Sequence, residues 1–213
     1  MNKILPIFIV IALTLTSCIE IIEEITINKD QSGSISYRLE TGELSSILSN
    51  FAGFFENDFE KQMKEKVNEF ARKLKGVEGI SNLKYSANPR TGEFELKADF
   101  DNAKALNKAL YQAFGYEKKT FSPGYLKISR HKFKRNNISP YIKQYLEREE
   151  FQMSSEHLLG MISFRTSVIL PNKAKGYKPG NAKSSDGGKK ISVTYPAEDI
   201  INNTTSMKCS IKY

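Results

Sequence analysis

From residue 20 onward, the chain contains short runs in which apolar and polar positions alternate. Ile21, Glu23, Ile25 and Ile27 alternate with Ile22, Glu24, Thr26 and Asn28, and residues 34–40 also alternate. This period of two, rich in β-branched residues, predicts strands. The polar cluster of residues 28–33 between the two runs ends in glycine and predicts a turn. This part of the chain therefore opens with a β-hairpin.

Further strands follow from the same pattern. A second hairpin is predicted from residues 83–86 and 93–100, with alternate apolar residues of the return strand on one face. Residues 172–189 read as a loop with one short strand near Ala182, in which Gly187 and Gly188 form a hairpin turn. Single strands are predicted over residues 125–133, 161–170, 190–195 and 207–213.

Three segments instead have helical spacing of their apolar residues. One begins after Asp58 and ends near Leu74, one begins after a predicted cap at Asp101, and one begins at Ser139-Pro140. Strand hairpins separated by helices predict an α+β fold, with a largely antiparallel β-sheet and about three helices packed on it.

The first eighteen residues have a different character. Lys3 precedes an apolar run over residues 4–16, and Leu15-Thr16-Ser17-Cys18 closes it. This is the order of a secretory signal peptide, and its ending resembles the lipobox of bacterial lipoproteins. The resemblance implies that residues 1–17 are a lipoprotein signal peptide and that Cys18 is lipidated. A retained membrane helix is disfavoured, because the run is shorter than the ~20 residues that span a bilayer.

Lipidation would make residues 18–213 a single α+β envelope domain anchored through Cys18. Acyl chains, palmitate among them, would hold the protein in a membrane of the bacterial cell envelope. Ile19 after the cysteine favours the outer membrane over the inner one. Cys209 would then have no intramolecular disulfide partner, and its strand-like surroundings predict burial.

The chain is basic, with a formal net charge of +8. One run stands out, consisting of Lys127, Arg130, His131, Lys132, Lys134 and Arg135. In a membrane-anchored protein nucleic acid is not the expected partner. Two interpretations stay open: a solvated strand end, or a patch that faces anionic lipid or glycolipid headgroups through Lys127, Arg130 and Lys132.

A second candidate feature is the aromatic cluster of Phe51, Phe54 and Phe55, flanked by Gly53 and polar residues. These side chains could close a core beneath a loop. They could instead form a flap over an apolar ligand pocket, the usual construction of small-molecule and lipid sites.

Catalytic patterns are not found in the sequence. His131 and His157 lack Cys or carboxylate neighbours at ligand spacing, so no metal site is expected. No serine-nucleophile motif or phosphate loop is present, and the adjacent glutamates 147, 149 and 150 read as a helix-end charge cluster. We expect a protein without enzymatic activity and without a cofactor.

Both ends of the mature domain resemble one lipoprotein family. Residues 21–37 are similar to the opening of LppM-like lipoprotein domains, which is a strand, an Asn-x-Asp-x-Ser/Thr-Gly turn and a second strand. The segments Leu170-Pro171, 180–182 and 187–195 are similar to a loop, glycine turn and aromatic-ended strand of that family, with Tyr195 in place of tryptophan. The resemblance implies an α+β domain with a hydrophobic cavity that binds lipids or glycolipids.

These observations together predict a non-enzymatic envelope lipoprotein that binds a lipid, a glycolipid or another amphiphilic ligand near the membrane. The alternative is a protein-interaction module of an envelope complex. An extracytoplasmic hydrolase is a third hypothesis, and it would need one of the two histidines beside a carboxylate in a cleft.

Overall fold

The computed structural model describes residues 19–40, 65, 68–88, 93–114, 124–146 and 159–213. Cys18, the phenylalanine cluster at residues 51–55 and His157 lie outside the described residues, so the predictions made for them stay predictions.

The larger of two β-sheets has seven strands in the order β3-β4-β2-β1-β7-β10-β9. Neighbouring strands are antiparallel except β1 and β7, which run parallel with Glu23 opposite Thr166. The strands are β1 Ile19–Ile27, β2 Gly33–Glu40, β3 Ile80–Asn88, β4 Glu93–Phe100, β7 Ile162–Ile169, β9 Lys183–Ser185 and β10 Lys190–Pro196.

The smaller sheet has four strands in the order β5-β6-β11-β8, all antiparallel. Its strands are β5 Leu126–Ser129, β6 Lys132–Arg135, β8 Gly176–Lys178 and β11 Cys209–Lys212.

Helices complete the domain. α1 includes residues 68–74, and a 3-10 turn over Asp186–Gly188 joins β9 to β10. The other helices are α2 Ala103–Phe114, α3 Ser139–Leu146 and α4 Ala197–Ile201.

One face of the large sheet carries the core. Alternate residues of β1, β2 and β4 pack with apolar side chains of α2 and the small sheet, among them Leu106, Phe133 and Ile211. A second cluster joins α1 and α2 to Leu96 of β4. The opposite face of the large sheet carries ion pairs, including Lys190 with Glu24 at 2.9 Å. The small sheet and helix α2 therefore lie on the same face of the large sheet.

The α+β class and the largely antiparallel sheet are confirmed. Both predicted hairpins are present, and Gly187 and Gly188 form the turn before β10 with φ of 64° and 89°. Cys209 is buried and free, as predicted. The parallel β1–β7 pair and the second sheet were not predicted from the sequence.

Four local predictions are wrong or incomplete. Residues 125–133 form no single strand, because the chain turns at Arg130-His131 between β5 and β6. Asn102 caps α2 instead of Asp101, since its side-chain oxygen accepts the amides of Lys104 and Ala105 at 3.0 Å each. The loop before β10 contains two short strands instead of one, and α4 was not expected.

No helix within the described ranges is long and apolar enough to cross a membrane. The predicted signal peptide precedes those ranges.

Candidate functional site

The β5–β6 hairpin places the basic run of the sequence on two faces of the small sheet. Successive side chains of a strand point to opposite faces. In β6 this directs Phe133 and Arg135 into the core, where both are fully buried. Lys132 and Lys134 consequently point to the outer face.

Lysines dominate that outer face. Register pairing forms one outward row of Lys127, Lys134, Ser210 and Lys178, and a second row of Ser129, Lys132, Lys212 and Gly176. We call the five lysines of these rows the lysine face. Lys134 is half-buried and the other four are exposed. Neither row contains an acidic residue.

The lysine face contains two like-charge pairs directly across neighbouring strands. Lys127 is opposite Lys134, and Lys132 is opposite Lys212. In the described part of the chain none of the five lysines makes an ion pair. Like charges opposite each other in a sheet are destabilising, by about 0.2–1 kcal/mol for each pair. Among the described residues, the lysine face is therefore a concentration of positive charge without an ion-pair partner.

The predicted headgroup contacts are partly brought together. Lys127 and Lys132 lie on the lysine face in adjacent outward rows, whereas Arg130 is exposed in the two-residue turn beside it. His131 occupies the same turn and is exposed, and its carbonyl accepts the amide of Tyr213 at 3.1 Å. The predicted apolar partners Phe51, Phe54 and Phe55 lie outside the described residues.

Arg135 is the member of the basic run that the sequence analysis placed wrongly. Both sequence interpretations put it on the surface, yet its side chain is fully buried and forms an ion pair with Glu23 of β1. Its Nε and Nη2 atoms donate to the carbonyl of Met207 at 3.1 and 2.9 Å. Its guanidinium also lies over the Tyr195 ring, with the central carbon 5.8 Å from the ring centroid.

Glu23 accepts hydrogen bonds on both carboxylate oxygens. Oε1 accepts from the hydroxyls of Tyr37, at 3.1 Å, and Tyr125. Oε2 accepts from Thr166, at 3.1 Å, and from Arg135, which also donates to the Thr166 hydroxyl. We call Glu23, Tyr37, Tyr125, Arg135 and Thr166 the buried ion cluster. Its carboxylate is fully hydrogen-bonded, the condition under which a buried charge is tolerated.

The cluster's electrostatics favour one protonation state. Burial alone would lower the pKa of Arg135, but Glu23 together with Tyr125, Tyr195 and Cys209 outweighs it, and the pKa is raised. Burial raises the pKa of Tyr37 well above its ordinary value, and neighbouring Tyr125 and Glu23 add to the effect. Burial and the Glu23 charge likewise raise the pKa of Tyr125 well above the ordinary value. Near neutral pH Arg135 is therefore charged, and Tyr37 and Tyr125 are neutral hydrogen-bond donors.

The buried ion cluster fixes the lysine face relative to the start of the domain. Glu23 belongs to the strand that begins directly after Cys18, and Arg135 belongs to a strand that carries two of the five lysines. A sequence signal for the cluster exists, because Glu23 occupies an inward position between Ile21 and Ile25. The partner could not be identified, since it is 112 residues away in the chain.

Metal chemistry has no support in the part of the chain that the structure describes. No group of three or more His, Cys, Asp or Glu side chains is placed there to hold a metal ion.

No protein-family model matches the chain. No curated protein matches it either. Among solved structures, the folded domain of the Mycobacterium tuberculosis protein LppM, determined by NMR, is similar with a TM-score of 0.42 and 8% sequence identity. The alignment covers 92% of this chain and 90% of that domain. A likeness at this level assigns neither a family nor a function to the chain.

Proposed function

We propose that the protein is a non-enzymatic, lipid-anchored protein of the bacterial envelope whose domain binds an anionic amphiphile through the lysine face. The lysine face is the observation that carries the binding proposal. The anchor proposal rests on the sequence that ends at Cys18, because charge, apolar run, small residues and cysteine occur there in the order of a lipoprotein signal.

Headgroup binding suits the chemistry of the lysine face. A lysine near an anionic bilayer surface contributes roughly 1 kcal/mol, so five contribute about 5 kcal/mol in favourable geometry. An arriving phosphate also relieves the repulsion within the two cross-strand lysine pairs. The lysine ammonium is a compact point charge that does not need the bidentate geometry of an arginine site. We therefore expect the lysine face to bind headgroups according to their negative charge and not to select one particular headgroup.

The apolar part of the ligand would be held by Phe51, Phe54 and Phe55, which is one of the two interpretations that the sequence leaves open for them. That contact is a separate hypothesis and is testable on its own. Phe54→Asp should weaken the binding of a lipid with long acyl chains and leave the binding of a soluble headgroup analogue unchanged.

The anchor is tested by cell fractionation. We expect the full-length protein to remain with membranes after a high-salt wash and to become soluble when Cys18 is replaced by alanine. Continued tight membrane association of Cys18→Ala would contradict the anchor.

Headgroup binding is tested by incubating the full-length lipoprotein in detergent micelles with short-chain phosphatidylglycerol or phosphatidylcholine. We expect saturable binding of phosphatidylglycerol that weakens steeply with salt. Equal binding of both lipids would contradict a role for charge. Absence of lipid binding, with a specific envelope protein captured instead, would favour the alternative of a protein-interaction module.

A further inference from the structure

Strand β3 lies at one edge of the large sheet, and this edge leads to an inference that goes beyond the proposed function. Within the described ranges β3 pairs only with β4, so the backbone groups on its other side have no strand partner there. We propose that this edge binds an extended segment of another protein as an additional strand. The segment places an acidic residue opposite Lys84 and apolar residues opposite Tyr85 and Ala87.

β3 is the longest edge strand of the two described sheets. It has nine residues, whereas the other edge strands β5, β8 and β9 have four, three and three. A short edge strand offers few free backbone groups to another chain, and a long one offers many. β3 is therefore the edge at which an added strand would form the most hydrogen bonds.

A bulge divides β3 into two parts. The register with β4 shifts between Ser81 and Lys84. Asn82 within the bulge has a φ of 50°, and its side-chain amide donates to Asp99 at 2.7 Å. Bulges interrupt pairing and bend the edge of a sheet. Residues 84–88 beyond the bulge pair with β4 in continuous register, and we call them the free edge of β3.

The free edge is accessible on both faces of the sheet. Lys84, Tyr85 and Ser86 are all exposed, and successive side chains of a strand point to opposite faces. Tyr85 is 49% exposed, although its partner Leu96 in β4 is fully buried. The part of the chain that the structure describes therefore covers neither side of the free edge.

On one face the free edge carries positive charge. Lys84 lies directly opposite Lys97 of β4, and neither lysine makes an ion pair with a described residue. The acidic residue of the next row, Glu95, lies opposite Ser86. Like charges directly opposite each other destabilise a strand pair, whereas opposite charges stabilise it. An acidic residue is therefore favoured opposite Lys84, and a neutral one is favoured opposite Ser86.

The other face favours apolar residues. Tyr85 and Ala87 lie opposite Leu96 and Phe94 of β4, which belong to or pack against the core. Pairs of aromatic and β-branched side chains stabilise neighbouring strands. Antiparallel pairing is slightly more stable than parallel pairing. The preferred segment, antiparallel to β3, therefore reads apolar, neutral polar, apolar and acidic in that order.

Peptide binding to the full-length lipoprotein in detergent micelles tests the proposal. The probe is a dye-labelled peptide of sequence Thr-Val-Thr-Val-Glu-Thr, and fluorescence anisotropy measures its affinity. We expect saturable binding that is about 10-fold tighter than that of the peptide with lysine in place of glutamate. Equal affinities of the two peptides, or no binding of either, would overturn the proposal.

Backbone methylation distinguishes strand addition from attraction by charge alone. In a strand bound at an edge, alternate residues direct their amides toward the neighbouring strand and the others direct them away. N-methylation of one alternate set of residues should therefore abolish binding, and N-methylation of the other set should leave it intact. Equal affinities of the two methylated peptides would contradict strand addition.

Two matched lysine pairs locate the binding site. Lys84→Gln/Lys97→Gln should weaken binding of the unmethylated peptide by up to about 5-fold. Lys132→Gln/Lys212→Gln removes a cross-strand pair of the lysine face and should leave the affinity unchanged. The reverse pattern would place the peptide on the lysine face and would overturn the proposal.

Discussion

The two faces of the small sheet use basic residues in opposite ways. On the inner face Arg135 is fully buried and meets a carboxylate, a threonine hydroxyl and a backbone carbonyl. On the outer face five lysines have no acidic neighbour in their register rows. The inner charge is satisfied by neighbouring groups, whereas the outer charges have no ion-pair partner among the described residues. The comparison indicates that the inner face serves stability, and it is consistent with our proposal that the outer face binds an anionic ligand.

The largest effect is expected from removing the buried positive charge of Arg135. Arg135→Met should lower the free energy of unfolding by about 3–5 kcal/mol, because it leaves the Glu23 carboxylate buried without its cation. Urea unfolding in detergent micelles, followed by circular dichroism, measures the change.

The double variant Glu23→Gln/Arg135→Met is the control, since it removes both charges. It should be more stable than Arg135→Met alone. A loss below about 1 kcal/mol in Arg135→Met would contradict the importance of the pair.

The second-largest effect is expected at alkaline pH, which should destabilise the fold through the tyrosines of the buried ion cluster. The pKa values of Tyr37 and Tyr125 are raised in the fold, by burial first and by neighbouring charge second. Above the ordinary tyrosine pKa near 10 the unfolded chain loses protons that the folded chain retains. Stability is thus fully present below about pH 10 and falls above it, by at most about 1.4 kcal/mol per pH unit for each tyrosine.

Urea unfolding between neutral pH and pH 11 would show this slope. Tyr125→Phe should make the decline shallower, because it removes one of the protons that the folded chain retains. An unchanged slope would indicate that Tyr125 does not contribute to the alkaline loss.

Removing positive charge from the outer face should stabilise the fold, whereas the changes above destabilise it. Lys132→Gln/Lys212→Gln should raise the free energy of unfolding in low salt by about 0.2–1 kcal/mol, since it relieves a like-charge pair. High salt should remove the gain by screening. Thermal unfolding at two salt concentrations measures it, and a loss of stability in low salt would contradict the expected repulsion between Lys132 and Lys212.

The smallest effect is expected for an ion pair on the other side of the large sheet. Arg165 pairs with Glu20, and the Arg165 side chain is 42% exposed. Arg165→Gln should cost roughly 0.5 kcal/mol or less, because exposed ion pairs contribute little. If Arg165→Gln lowers the free energy of unfolding about as much as Arg135→Met in the same urea assay, the buried ion pair would be no more important for stability than the exposed one.

Local pattern was sufficient to predict much of the fold. Alternation identified β1, β2 and β4 and their inward residues, because each strand has one face in the core. The turn at Arg130-His131 was missed because it contains no glycine, proline or asparagine to mark it. The cap of α2 was displaced by one residue, since Asp101 and Asn102 are both good capping residues.

The site was predictable only in part. Lys127 and Lys132 were identified from charge alone, but Lys178 and Lys212 join them through strand pairing between distant segments. Arg135 was misplaced because a basic residue beside lysines looks exposed in a linear sequence. Only the pairing of β6 with β5 and β11 turns it inward, where Glu23 of the distant strand β1 meets it.

Footprinting of lysines tests the central claim most directly. The full-length lipoprotein in detergent micelles is acetylated with and without short-chain phosphatidylglycerol, and modification at each lysine is measured by mass spectrometry. The account predicts slower acetylation of Lys132, Lys178 and Lys212 when phosphatidylglycerol is present, with Lys84 and Lys97 unchanged. Equal rates at all five positions in both conditions would contradict it.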